Sequence, residues 1–482
     1  MHNDSLKKKA FSSILWSAID RFSSQGIAFI IGLILARILL PADYGLIGML
    51  TIFIVLSQSL TDSGFSTALI QKKDTNNVDY STIFYVNIFI SLLVYIILFF
   101  SAKYISEFFG EPLLIDLTKV VGINVIINSL SIVQRAKLTR ELEFKKQTKI
   151  SVLSVIISGS VGVYLALNGY GVWALVYQTI LRNVVSLVLF WTYSKWIPEL
   201  LFSIKSLKSL FGFGSRILIW AVINSIFENI YFVVVGKYYS AQDLGYYTRA
   251  QQFKQLPASN ITAILQRVTL PVFSQIQDDN IRLKIGYKKA IKLVAFIMFP
   301  LMTGLALIAK PLILTILTVK WLPAVALLQI LSFEGILYPI HALNLNILNV
   351  KGYSNLFLRL DLIKKALIVV VIIVTISISI KAMVIGYLIL SVISFFINTY
   401  YSKRFINYGA IEQIRDIAPY FFATAVMAIL NLFILTLIDS YIYELIISII
   451  FCGGFYFLIA YLFKFSELVE LKSFFNNRKN SE

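Results

Sequence analysis

Residues 80–102 read YSTIFYVNIFISLLVYIILFFSA, a run of 23 residues without an Asp, Glu, Lys or Arg. A helix needs about 20 mostly apolar residues to cross the hydrocarbon core of a bilayer. Thirteen further stretches of this kind lie on either side of it: 12–36, 42–70, 112–134, 150–168, 171–193, 209–236, 242–270, 290–309, 323–348, 357–380, 382–400, 416–437 and 441–463. The sequence therefore predicts an all-α membrane protein with about fourteen transmembrane helices.

The composition supports this fold class and excludes several functions. Hydrophobic residues make up 58% of the chain and charged residues 14%, against roughly 25% charged residues in a soluble protein. A net charge of +18 would suit nucleic acid only on a soluble basic domain, and no stretch is long enough to form one. One cysteine and two histidines cannot build a His/Cys metal cluster. We therefore expect no metal, cofactor, catalytic residues or nucleic-acid partner, and no enzyme activity.

The positions of the basic residues predict the orientation of the chain. With the N-terminus in the cytoplasm, the predicted cytoplasmic segments hold 30 of the 43 Lys and Arg residues and the external loops hold 6. Such an excess follows the positive-inside rule. We therefore expect a multi-pass protein of the bacterial cytoplasmic membrane, with both termini in the cytoplasm.

An internal repeat predicts how the helices are grouped. Arg37–Gly45 (RILLPADYG) and Lys237–Gly245 (KYYSAQDLG) share a basic residue, an Asp and a Gly at an offset of 200. Six predicted spans separate the copies, and an even number makes them parallel. We expect two six-helix lobes around a central cavity plus a C-terminal pair. The predicted boundaries are an N-terminal lobe at 1–195, a linker at 196–208, a second lobe at 209–402, the helix pair at 403–464 and a tail at 465–482.

Charged residues within the predicted spans are the candidate functional residues, because an ion in the bilayer usually faces a cavity or a partner. Guanidinium groups bind phosphate well. We predict that four basic residues bind an anionic substrate: Arg21, Arg216, Arg249 and Lys254. The candidates for ion coupling or for polar groups lining the cavity are Asp20, Asp62, Glu228, Glu334 and His341. Pairing between neighbours, such as Asp20 with Arg21, and helix packing are the alternative roles.

Several segments resemble a known family of membrane proteins. They are GFSTALIQKKD (64–74), RAKLTRELEFKK (135–146), GYGVWALV (169–176), LGYYTRAQQFKQLP (244–257) and RVTLPVFSQIQDD (267–279). They resemble the Wzx-type flippases of the multidrug/oligosaccharidyl-lipid/polysaccharide exporter superfamily, from about residue 10 to about residue 400. The resemblance implies fourteen helices in two lobes plus a pair. It also implies transport of polyprenyl-pyrophosphate-linked oligosaccharide units by alternating access, for lipopolysaccharide O-antigen, capsule or exopolysaccharide.

Three other functions stay open at this point. A multidrug-type antiporter often carries cationic substrates, which a positively charged cavity disfavours. A lipid II flippase of cell-wall synthesis is chemically close to a flippase of polyprenyl-pyrophosphate-linked oligosaccharides. A membrane-embedded polymerase or ligase is disfavoured by short external loops. Coupling to a proton or sodium gradient, and association with a polysaccharide polymerase or with glycosyltransferases, are further expectations to be tested.

Overall fold

The computed structural model describes residues 2–62 and 64–468, with the side chains of 2–15, 17–18 and 212–217 outside the description. The predicted tail therefore lies outside the described residues from 469 onward. The described part consists of helices joined by short loops, with one 3-10 turn at Val319–Trp321. The helices are α1 (His2–Ile38), α2 (Pro41–Asp62), α3 (Phe65–Gln71), α4 (Asn77–Phe109), α5 (Leu114–Arg140), α6 (Phe144–Leu167), α7 (Val172–Ser194), α8 (Ile204–Tyr238), α9 (Ala241–Gln275), α10 (Asn280–Leu307), α11 (Ala309–Ile316), α12 (Ala324–Val350), α13 (Ser354–Thr375), α14 (Ile380–Ile406), α15 (Ala410–Leu435) and α16 (Tyr441–Leu462).

The predicted all-α membrane fold is confirmed, and the chain is a multi-pass membrane protein. Thirteen of the fourteen predicted spans each overlap one of these helices, and the span predicted at 42–70 covers both α2 and α3. Twelve helices of the described part are long and apolar enough to cross a bilayer. The other two are α9 and α13, which carry several charged side chains among their apolar residues. The count of fourteen spans therefore stays a prediction.

The helices pack into two compact units, Met1–Gly245 and Tyr246–Glu482. In the first unit, α4 packs on α5, α1 on α6, and α7 on both α5 and α6, while α8 lies on α2. In the second unit, α12 packs between α10 and α14, and α15 packs on α10 and α16. The predicted lobes, 1–195 and 209–402, were drawn from the sequence repeat and have other boundaries than these two units. The lobes therefore stay a prediction.

The predicted repeat is confirmed at its two hairpins. Helix α1 ends at Ile38 and α2 begins at Pro41, while α8 ends at Tyr238 and α9 begins at Ala241, so both boundaries keep the offset of 200. Each hairpin has an Asp in the first turn of its second helix. The carboxylate of Asp43 accepts from the backbone N–H of Leu40 at 2.9 Å, and that of Asp243 from the N–H of Ser240 at 3.4 Å. An acid in this place also stabilises the positive end of the helix dipole.

The repeated glycines explain why the first turns of α2 and α9 can touch. A Cβ built on Gly45 would lie 1.7 Å from the carbonyl oxygen of Ala241, and one built on Gly245 would lie 1.9 Å from that of Pro41. The two contacts are reciprocal, since position 41 corresponds to 241 and position 45 to 245. Only glycine permits this backbone approach, so the repeat encodes a symmetric helix crossing, the glycine crossing.

The segment between α7 and α8 is bound to the start of α4. Trp196 is buried against Tyr80 and Phe84, with ring centroids 5.9 Å from each. The backbone N–H of Glu199 donates to Ser81 Oγ at 3.0 Å. The N–H of Ser203 donates to Thr82 Oγ1 at 3.1 Å. The connection between the two predicted lobes is therefore an ordered part of the first unit.

Candidate functional site

Four helices of the first unit bring charged side chains together. Asp20 lies on α1, Asp62 ends α2, Arg135 lies on α5 and Arg182 on α7. Arg182 interacts electrostatically with Asp20, and Arg135 interacts with both Asp62 and Arg182. Two guanidinium groups and two carboxylates thus form one cluster, the charged cluster of the first unit.

The two guanidinium groups of the charged cluster are exposed. Arg182 is about 15 Å from the start of α7 and about 18 Å from its end at a rise of 1.5 Å per residue, so it lies midway along the helix. Arg135 and Arg182 are both exposed, and each interacts electrostatically with one carboxylate, Asp62 of α2 and Asp20 of α1 respectively. The Arg135 guanidinium lies over the ring of Phe190, 5.2 Å from its centroid. An exposed guanidinium group can exchange its carboxylate partner for another anion that offers it charge-assisted hydrogen bonds.

The other predicted residues of the first unit lie in different surroundings. Arg21 is half-buried beside Asp20 on α1. Glu228 is exposed on α8 and accepts a hydrogen bond from Asn224 of the same helix at 2.7 Å. The side chain of Arg216 lies outside the description. The predicted roles of these three residues stay predictions.

Both predicted basic residues of the second unit are buried and have protein partners. Arg249 is 2% exposed; its Nη1 donates to Gln252 Oε1 at 2.5 Å, and its guanidinium faces the ring of Trp321 at 5.7 Å. Lys254 is 1% exposed, and its Nζ lies 2.5 Å from Glu334 Oε2. In this conformation neither side chain presents its charge to a substrate, and their predicted binding roles stay untested.

A polar seam continues along α12 beyond Glu334. The ring nitrogen Nε2 of His341 lies 2.9 Å from Ser391 Oγ, and Nδ1 lies 3.3 Å from Asn398 Nδ2. One turn further, Asn344 bonds to Gln413 and to Ser402 at 2.8–2.9 Å. These neutral hydrogen bonds join α12 to α14 and α15, which is how polar side chains stabilise helix packing in a membrane.

Arg135 was not among the site residues predicted from the sequence. The span predicted at 112–134 ends one residue before Arg135, whereas α5 continues to Arg140. The available signal was the helix-compatible stretch RAKLTR, which contains neither Gly nor Pro. Arg182 lies within the predicted span 171–193, and its interaction with Arg135 depends on the packing of α7 on α5.

A family model described as "Polysaccharide biosynthesis protein" matches residues 34–326. The chain belongs to this family. It is 28% identical over 434 residues to the teichuronic acid biosynthesis protein TuaB of Bacillus subtilis, covering 88% of this chain and 89% of that protein. It is 27% identical to the lipopolysaccharide biosynthesis protein WzxC of Escherichia coli, covering 69% of this chain and 68% of that protein. The predicted family is thereby confirmed.

The polysaccharide biosynthesis family model covers part of the site. Its range includes Asp62, Arg135 and Arg182 of the charged cluster, and Arg249 and Lys254 of the second unit. The fold is also that of a solved lipid II flippase, MurJ in an inward closed conformation. That structure superposes with a TM-score of 0.78 at 17% identity, over 95% of this chain and 100% of MurJ. At this identity the likeness shows the fold alone.

Proposed function

We propose that this protein flips polyprenyl-pyrophosphate-linked oligosaccharide units across the bacterial inner membrane by alternating access. The observation that carries the proposal is the family match over 34–326, supported by relatives named for teichuronic acid and lipopolysaccharide biosynthesis. The glycan belongs to a surface polysaccharide: a lipopolysaccharide O-antigen, a capsule or an exopolysaccharide.

The charged cluster of the first unit is where we place the pyrophosphate. Arg135 and Arg182 are exposed and interact with each other electrostatically, and each guanidinium can hold a phosphate through two parallel hydrogen bonds. Without substrate, Asp62 and Asp20 balance the two positive charges. A diphosphate would displace these carboxylates, and Arg21, beside Asp20, would add a third cation.

The remaining predictions extend this proposal. Both termini lie in the cytoplasm, the pyrophosphate enters from the cytoplasmic leaflet, and Arg216 contributes on the α8 side. A proton or sodium gradient drives the cycle, with Asp20 and Asp62 as the carboxylates that take up the ion when substrate holds their arginines. A polymerase or a glycosyltransferase of the same polysaccharide is the expected protein partner.

The proposal is favoured over two alternatives. In a multidrug-type antiporter, two exposed arginines would repel the cationic substrates. A lipid II flippase shares the fold, but the sequence relatives reported above are named for polysaccharide biosynthesis. No catalytic step is needed for either the proposed function or these alternatives.

The test is a deletion strain in the native host, analysed for carrier-linked oligosaccharide. Loss of the protein should make the lipid-linked unit accumulate on the cytoplasmic face and should remove the surface polysaccharide. Arg182→Ala should reproduce the deletion at matched expression. Lys103→Ala is the matched control, since Lys103 is 75% exposed and pairs only loosely with Glu107 at 3.9 Å. Normal polysaccharide export in the deletion strain would contradict the proposed function.

A further inference from the structure

A buried ion pair in the second unit has the surroundings of a cation site. The Nζ atom of Lys254 lies 2.5 Å from Glu334 Oε2, and the two side chains are 1% and 4% exposed. The ring centroids of Tyr338 and Tyr387 lie 5.7 Å and 6.0 Å from the same ammonium. A carboxylate and two aromatic faces, contributed by α12 and α14, therefore surround one positive charge from α9.

A proline changes the hydrogen bonding of one backbone carbonyl beside Glu334. Pro339 in α12 has no N–H, so the carbonyl of Gly335 lacks its helical donor. Gly335 is close to the lysine, because a Cβ built on it would lie 3.1 Å from Lys254 Cγ.

Carboxylate and carbonyl oxygens are the ligands of hard cations, and a buried carboxylate needs a positive partner. That partner can be a proton, an inorganic cation or an ammonium group of the chain. We propose that Glu334, the carbonyl of Gly335 and the two tyrosine rings form a monovalent-cation site, and that Lys254 occupies it as a built-in cation.

This assignment changes the role expected of Glu334. A carboxylate already neutralised by a covalently attached ammonium has no need of an external ion, so the wild-type protein should not respond to Na⁺ here. Removing the ammonium should leave an unneutralised carboxylate among oxygens and rings, which then binds Na⁺. Neighbouring charged and titratable groups have partners of their own: Arg249 is held by Gln252 and Trp321, and His341 by Ser391 and Asn398.

The test compares the thermal unfolding of the purified full-length protein in Na⁺ and in N-methylglucamine at equal ionic strength and pH 8.5. Lys254→Ala should melt about 2–5 °C higher in Na⁺ well above its dissociation constant, since a ligand bound only to the folded state raises the melting temperature. Wild type should show no difference. Lys254→Ala combined with Glu334→Gln should lose the Na⁺ response, because the site then lacks its negative charge.

The matched control is Lys365→Ala. Lys365 pairs with Asp361 of its own helix at 2.6 Å with 6% side-chain exposure, so it offers a similar ion pair outside the proposed site. Should Lys254→Ala fail to insert, Lys254→Gln keeps the bulk of the stem without the charge. The proposal is overturned if neither folded variant responds to Na⁺, if the Glu334→Gln combination still responds, or if Lys365→Ala responds equally. Because no glycan is measured, the result is independent of the proposed transport function.

Discussion

The glycine crossing makes a sharp prediction about Gly45→Ala. The added methyl group would lie 1.7 Å from the carbonyl oxygen of Ala241, whereas close carbon–oxygen contacts between packed helices are about 3.3–3.6 Å. The first turns of α2 and α9 must therefore separate by about 1.5 Å. Overpacking of this kind typically costs about 1–3 kcal/mol. We expect the melting temperature of the purified protein to fall by several degrees.

The symmetry of the crossing predicts how two substitutions combine. Gly245→Ala should cost about as much as Gly45→Ala, because its methyl group would lie 1.9 Å from the carbonyl oxygen of Pro41. One separation of the two helix ends relieves both clashes. The double variant should therefore lose clearly less stability than the sum of the two single variants, a coupling that a double-mutant cycle measures.

The control is Gly453→Ala on α16, where an added Cβ would meet nothing within 4 Å. Alanine is a better helix former than glycine, so this variant should be unchanged or more stable by about 0.5–1 kcal/mol. The assay is thermal unfolding monitored by intrinsic fluorescence in one detergent. The reasoning is refuted if Gly45→Ala and Gly453→Ala behave alike, or if the two crossing variants add without coupling.

Three further predictions test the topology, an ion pair and the transport site. Reporter fusions after Lys146 should report the cytoplasm and those after Ser440 the periplasm; a periplasmic signal at Lys146 would reverse the orientation derived from the charges. Lys72→Met should lower the free energy of unfolding by about 2 kcal/mol, because the Asp79 carboxylate (1% exposed) loses the ammonium group 2.7 Å away. Breaking a fully buried pair would cost ~3–5 kcal/mol, and the cost is smaller here because Lys72 is partly solvated. Unchanged stability would show that the pair contributes nothing. Arg182→Lys should retain partial polysaccharide export where Arg182→Ala retains none, since lysine keeps the charge but not the bidentate geometry; equal export by the two variants would remove the phosphate role.

The parts of the fold that local chemistry determines could be predicted from the sequence. Apolar length identifies a span without any knowledge of its neighbours, and the hairpins at Pro41 and Ala241 were found because their signals repeat at a fixed offset. The span at 242–270, which corresponds to α9, was predicted from its apolar residues as well, although its charges weaken the apolar signal.

The pairing of charges could not be predicted in this way, because it depends on how distant helices pack. Lys254 and Glu334 are 80 residues apart. From the sequence alone, each of them is a charged residue within a span, as Arg182 is, and nothing shows which charges pair. The place of Arg135 in α5 was not predicted for a related reason: basic residues mark the ends of spans, but they do not show whether the helix continues past them. Burial then separates the roles, since Arg182 is exposed and Lys254 is not.

The segment from Trp196 to Ser203 has a practical consequence for anyone who wants to divide or tag this chain. By sequence it is the obvious place to cut the protein into two halves for co-expression, or to insert an epitope. In the folded protein, however, Trp196 is buried and two of the segment's backbone N–H groups are held by hydroxyls of α4. A cut or insertion there would break the connection between α7 and α8 and would also remove the contacts that this segment makes with the start of α4. The loop between α15 and α16, where Leu437 is 71% exposed, is the better place for a tag.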